Sequence, residues 1–318
     1  MPVLGYTLSS EEFGPRALVA QARLAEEIGI EFAMISDHYH PWTERQGESP
    51  FVWTVLGGIA QATERLRVGT GVTCPTVRIH PAIVAQAAAS TAAAFGGNRF
   101  FLGVGSGELL NEHVLGDAWP EPALRIEMLR EAIGIIRQLW AGGSVAYHGD
   151  YYDVEEARLF TRPEYPPDLL VAATGPTSAR VAADLGDGLV GIAPSPGLIE
   201  TYHAQGGSGP RFGQIHCCYD AEADVARKRA LECWPNAGLP GNLMTEIKTT
   251  EQFDAVSELV REEHLGHVVV GPDPETYLEA IQKYADAGYD HLWLHQIGPD
   301  QETFLRFLER EILPVASA

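Results

Sequence analysis

The stretch Ser36-Asp37-His38-Tyr39-His40-Pro41-Trp42 brings together residue types that do chemistry. A histidine beside a carboxylate can act as a general base, since imidazole titrates near neutrality. Asp37 could orient His38 or hydrogen-bond a ligand, and Trp42 could wall a small substrate. The plain alternative is a helix-capping Asp with a solvated His. His38 and His40 fall on one side of an extended chain, so with Asp37 they could also hold a metal. No third ligand cluster accompanies them, and no metal is expected.

Other stretches add backbone rather than side-chain chemistry. Gly103-Val104-Gly105-Ser106-Gly107-Glu108-Leu109-Leu110-Asn111-Glu112 would let a flat ligand approach the main chain closely. It lacks the Gly-Lys-Ser/Thr of a nucleotide P-loop and the third glycine of the dinucleotide fingerprint. Glu108 could give or take a proton there. Gly69-Thr70-Gly71-Val72-Thr73-Cys74-Pro75-Thr76 is a second glycine run. Ala172-Ala173-Thr174-Gly175-Pro176-Thr177-Ser178 opens a helix and offers either an anion site or ordinary N-capping. Gly186-Asp187-Gly188 reads as a turn.

The elements that must position these groups alternate. Strands are expected at Val3 to Leu8, Phe32 to Ser36, Leu66 to Val72, Arg99 to Val104, Leu169 to Ala173, Gly188 to Ala193, Arg211 to Tyr219 and His291 to His295. Helices are expected between them, among them Pro15 to Ile28, a helix opened by Pro81, and one near Glu251 to His264. Gly149 to Val154 reads as a hairpin. About eight strand-then-helix units predict an α/β protein, a TIM (β/α)8 barrel. The expected organisation is one domain over 1–318, with insertions near 142–167 and 194–265. Four of the five motifs then fall at carboxyl ends of strands, where barrel sites form.

The bulk properties narrow the function. Net charge is −21, from 22 basic and 43 acidic side chains, which disfavours nucleic acid and anionic membrane as partners. No apolar run approaches the ~20 residues that span a bilayer, and the N-terminus does not read as a signal peptide. The four cysteines have no zinc-type spacing, so the expected setting is a reducing cytoplasm.

Taken together, Ser-Asp-His-x-x-Pro-Trp, Gly-Thr-x-Val-x-x-Pro-Thr, Asn-Arg-x-Phe-Leu-Gly-Val-Gly-Ser-Gly-Glu-x-Leu-Asn-Glu and Gly-Asp-Tyr-Tyr resemble the luciferase-like hydride-transfer flavoproteins. Within them the chain is most similar to enzymes using the deazaflavin coenzyme F420, in particular the glucose-6-phosphate dehydrogenase subgroup. The resemblance implies a barrel, usually dimeric, with the deazaflavin across its mouth. It assigns the cofactor contacts to Asp37, Gly71, Val72, Cys74, Gly105, Ser106, Gly107, Glu108 and Asn111, and the phosphodiester tail to Thr174 and Gly175. It implies a cis peptide at Gly71-Val72. It gives His38 the substrate hydroxyl proton, Glu108 the proton at ring N1, and Glu11 and Trp42 the substrate side.

The chain departs from the subgroup where relatives hold sugar phosphate with two lysines and an arginine. The stretch after Gly188 has no lysine, and Leu243 or Met244 and His267 fall at the other two positions. Without those cations a dianion loses its attraction. The expected reaction is therefore hydride transfer between a neutral alcohol or lactol carbon and C5 of the deazaflavin. The alternatives are a sugar-6-phosphate dehydrogenase whose phosphate site is rebuilt by Lys248, Arg211 or Arg261, an FMN-dependent monooxygenase, and a deazaflavin carrier or sensor without turnover. The expected partners are a small-molecule substrate and a second copy of the chain.

Overall fold

The computed structural model describes residues 1–316; the last two residues of the expected 1–318 domain lie outside them. The first four strands are β1 (Val3–Leu8), β2 (Phe32–Ile35), β3 (Arg67–Thr70) and β4 (Phe100–Val104). An antiparallel hairpin follows, β5 (Val145–His148) with β6 (Asp153–Ala157). Then come β7 (Asp168–Ala172), β8 (Gly188–Gly191), β9 (Arg211–Cys218), the short β10 (Val269–Val270) and β11 (His291–Gln296). Eight of these pair in parallel around a closed ring, in the order β1-β2-β3-β4-β7-β8-β9-β11 and back to β1. This is the (β/α)8 barrel. The unanticipated β10 adds to β9 outside the ring.

The ring closes around an aromatic plug. Phe32, Met34, Phe101, Leu170, Val190, Phe212 and Trp293 pack together inside it. A Cβ at Gly69 would stand 2.0 Å from the Phe101 ring, so glycine there makes room for the plug. Truncating such a buried ring costs about 3–5 kcal/mol. The outer faces of the strands pack on the helices: Pro15–Glu27 turns Leu18, Ala22 and Ala25 inward and stops where Gly29 takes φ +90°. Pro81–Phe95 starts on a proline, with His80 Nδ1 accepting from the Ala82 amide at 3.1 Å. No helix among the described residues is long and apolar enough to cross a membrane.

Three expectations change. The third strand ends at Thr70 instead of Val72, just before the Gly71-Val72 peptide, which is cis as the resemblance implied. The helix expected from Glu251 to His264 is Thr250–Ser257 followed by a separate 3-10 turn, Glu262–Leu265. Val260 drops into an apolar cluster with Trp42, Trp234 and Phe253. Arg261 then caps the broken end, donating to the carbonyls of Glu258 (2.6 Å) and Val260 (2.9 Å). Finally, Arg211 lies at the amino end of β9, away from the mouth, and pairs with Asp290 at 2.7 Å. It cannot rebuild an anion site there.

Candidate active site

Above the aromatic plug, the carboxyl ends of β3 and β4 present backbone. A Cβ at Gly71 would stand 3.2 Å from Met34, and one at Gly105 would stand 2.8 Å from Val72 Cγ2. A Cβ would be tight at Gly71 and would force Val72 to shift at Gly105, so at both places the strand ends present main chain as a flat floor. Cys74 is buried beside Gly105, and burial pushes its thiol pKa well up, so it is a packing group rather than a nucleophile. The hairpin braces this floor, since the Tyr152 hydroxyl donates to the Thr76 carbonyl at 2.8 Å.

Asp37 does not orient His38. Its buried carboxylate accepts from Thr73 Oγ1 at 2.7 Å and from Arg78 Nη2 at 3.0 Å. Arg78 Nε also lies 3.7 Å from Glu112 Oε1. Glu112 accepts from the amides of Val77 (3.2 Å) and Arg78 (2.7 Å), yet burial pushes its pKa up to about 7. This triad ties together the loops after β2, β3 and β4. Asn111 adds a second tie. Its Oδ1 accepts from the amides of Tyr39 (2.9 Å) and His40 (3.1 Å), and its Nδ2 donates to Glu108 Oε2 at 3.4 Å. Ser106, Gly107 and Glu108 follow β4 with partial exposure, Gly107 at φ +91°.

His38 is oriented by backbone and by a residue of another strand. Its Nδ1 lies 3.1 Å from the His40 carbonyl, which only accepts, so Nδ1 carries the hydrogen and Nε2 a lone pair. Nε2 stands 3.6 Å from Glu11 Oε1. Glu11 is fixed through its other oxygen, which accepts from Ser36 Oγ (2.5 Å) and Ser9 Oγ (3.2 Å). The Trp42 ring meets His38 edge-on at 4.8 Å and rests on Phe253. A proton arriving at Nε2 would therefore find a carboxylate beside it. His40 turns away, with Nδ1 on the Leu110 carbonyl at 3.1 Å, and forms no metal pair with His38. Among the described residues, no group of three His, Cys, Asp or Glu could hold a metal ion.

At the helix Pro176–Leu185 the amides of Thr174 (3.2 Å) and Gly175 (3.3 Å) donate to Ser178 Oγ. The expected cap, Thr174 or Thr177, is corrected: the cap position is Gly175, and Ser178 from inside the helix occupies those two amides. The Thr174 side chain is exposed, and the space over Gly175 is open.

The sequence reading passed over Arg78 and a second histidine group, His216 and His295 with Glu12. Arg78 had one weak signal, a lone arginine just beyond the β3 glycine run. The histidines had a better one. Phe212, Gln214 and His216 alternate along β9, as do His291, Trp293 and His295 along β11. Polar and aromatic residues at period 2 in otherwise apolar strands mark the barrel interior.

The closed (β/α)8 barrel, with glycines and a His–carboxylate pair at the carboxyl ends of its strands, fits the luciferase-like TIM-barrel class. The sequence profile of the luciferase-like monooxygenase family matches residues 2–291, and the chain belongs to that family. It is 36% identical over 323 residues to the F420-dependent glucose-6-phosphate dehydrogenase of Microbacterium testaceum, covering 98% of this chain and 96% of the relative. It is 34% identical over 329 residues to the protein of that name from Rhodococcus erythropolis, covering 98% and 96%. Among solved structures, an F420-dependent secondary alcohol dehydrogenase in complex with an F420-acetone adduct superposes with TM-score 0.92 at 28% identity, over 99% of both chains.

Proposed function

We propose that the chain is a coenzyme F420-dependent oxidoreductase that moves a hydride between a neutral alcohol or lactol carbon and the deazaflavin. The observation that carries this reading is His38, whose Nδ1 is committed to a carbonyl and whose Nε2 stands bare beside Glu11 and Trp42. The main chain at Gly71 and Gly105 carries no side chain, which suits close approach of a flat tricyclic ring. When bound, the coenzyme supplies the carbon that exchanges hydride with substrate. His38 Nε2 takes the hydroxyl proton, and Glu11 stabilises the resulting imidazolium. Glu108, held by Asn111, carries the proton needed at the ring's edge, and Trp42 walls the substrate. Val72, Cys74, Ser106 and Gly107 border the floor, and Asp37 holds it through Arg78 and Thr73. Thr174 and Gly175 remain the reading for the phosphodiester tail, through side chain and open space.

The placement of the cations supports neutral substrates. Arg211 is at the wrong end of the barrel, Arg261 caps a helix, and Arg78 sits between two carboxylates. Lys248 is exposed. The test is a panel of alcohols, lactols and sugar phosphates, followed by loss of deazaflavin absorbance. A neutral alcohol or lactol is expected to give the highest kcat/KM. A clear preference for glucose 6-phosphate would mean the phosphate site has been rebuilt. A cytoplasmic homodimer with residues 1–318 as one domain belongs to the same reading; the free cysteines and the acidic surface support the cytoplasmic setting.

A further inference from the structure

The barrel mouth has a second histidine wall that the reaction above does not use. Around the rim, in strand order β2-β1-β11-β9, stand His38, then Glu11 and Glu12, then His295, then His216. The two consecutive carboxylates thus face a histidine each: Glu11 faces His38, and Glu12 Oε2 lies 3.6 Å from His295 Nε2. Glu12 Oε2 and His295 Nε2 are both buried, and neither has a hydrogen-bond partner. Glu12 is held by its other oxygen, which accepts from the Gly298 amide at 3.0 Å. His295 and His216 are register partners on adjacent strands, and their Nδ1 atoms are 2.9 Å apart. Trp234 covers His295 edge-on at 4.4 Å.

Across the 2.9 Å contact either Nδ1 could donate, and the field of the Glu12 carboxylate, 3.6 Å from His295 Nε2, tips the balance toward a hydrogen at that nitrogen. The Nδ1 of neutral His295 is then a lone pair. One of two facing nitrogens must donate, so His216 carries its hydrogen on Nδ1. That leaves His216 Nε2 as a lone pair. No hydrogen bond among the described residues engages it, and the residue keeps a partly exposed edge. Burial, with His295 and His267 nearby, pushes the His216 pKa well down, so the ring is neutral at physiological pH. His38 presents the same feature, a bare Nε2 with Nδ1 committed. The mouth therefore offers two hydrogen-bond acceptors on one arc, three strands apart, and one apolar cluster holds Trp42 beside the first and Trp234 near the second.

We infer that His216 Nε2 is a substrate-recognition atom for a second hydroxyl, so that the preferred substrate is a neutral diol, polyol or lactol rather than a simple alcohol. Glu12 and His295 are positioning residues that hold His216 in the accepting tautomer. A monofunctional alcohol would cover Nε2 without satisfying it, and a buried acceptor left unpaired lowers kcat/KM by about 10- to 100-fold. This inference rests on the oxidoreductase reading and adds the class of substrate to it.

Two measurements test it. The first compares 2,3-butanediol and 1,3-butanediol with 2-butanol, and 2,5-hexanediol with 2-hexanol, for wild type, His216→Leu and His216→Gln. At least one diol is expected to exceed its monofunctional partner by about 10- to 100-fold in wild type. The ratio should collapse toward one in His216→Leu and recover partly in His216→Gln, whose Oε1 can accept. The second needs no turnover: long-range 1H–15N spectra of histidine-labelled protein should show His216 protonated at Nδ1 and bare at Nε2. Oxidation of 2-butanol with no diol preference, or a hydrogen on His216 Nε2, overturns this inference and leaves the oxidoreductase reading standing. Failure of every alcohol to reduce coenzyme F420 overturns that reading, and the substrate class with it.

Discussion

The two sides of the barrel mouth are built by opposite means. The side formed by β3 and β4 works by absence: glycines exclude side chains, and the floor is main chain. The side formed by β2, β1, β11 and β9 works by presence, with single imidazoles and carboxylates contributed by four strands and paired across them. The first side suits a flat ring whose position is set by shape. The second suits a small substrate whose protons must be moved and recognised. Separating the tasks would let the substrate wall change while the floor stays the same.

Mutations can break this comparison. The largest effect is expected at His38. His38→Ala should lower kcat by about 10²- to 10⁴-fold, the usual worth of a general base, while coenzyme affinity by fluorescence titration stays unchanged. A parallel loss of coenzyme binding would merge the two sides into one. Arg78→Met acts on the triad that joins them. It leaves Asp37 and Glu112 buried without their cation and should cost about 3–5 kcal/mol of stability, read from the denaturation midpoint.

Glu112 adds a pH signature. Its folded pKa is raised from 4.5 to about 7, so between those values the folded protein holds a proton that the unfolded chain has lost. Stability therefore falls as pH rises from about 4.5 to about 7 and is level above, a change on the order of 3 kcal/mol. Glu112→Gln should flatten that slope in denaturation curves taken across the window. Gly105→Ala places a methyl 2.8 Å from Val72 Cγ2 and should weaken coenzyme F420 binding about tenfold, or ~1.4 kcal/mol, without loss of fold. The smallest effect is expected at Arg45, which reaches from the loop after β2 to Glu232 in the helix following β9 at 3.2 Å. Both side chains are exposed, so Arg45→Ala should change stability by less than about 1 kcal/mol and leave turnover intact.

The same contrast governs what could be read from sequence. The β1 boundaries, the hairpin read at Gly149 to Val154 and the glycine runs after β3 and β4 were legible, because each depends on neighbours in the chain. Asp37 stood out in the sequence by its place after β2, but its partner Arg78 lies 41 residues on, and only the closed barrel brings them together. His216 and His295 are 79 residues apart and meet only through the β9–β11 register. The expected helix from Glu251 to His264 failed for a related reason. Its periodicity is helical throughout, and the break comes from Val260 packing against Trp42, Trp234 and Phe253, a tertiary contact that overrides local propensity.

The central claim is that the glycine floor receives a deazaflavin and the bare imidazole beside it takes a substrate proton. Titration of the purified protein with coenzyme F420 and with FMN, by fluorescence quenching, tests it most directly. Coenzyme F420 is expected to bind at least about tenfold more tightly, a difference of ~1.4 kcal/mol, and to be reduced when a neutral alcohol is added. Tighter binding of FMN, with oxygen consumption in place of alcohol oxidation, would contradict the account.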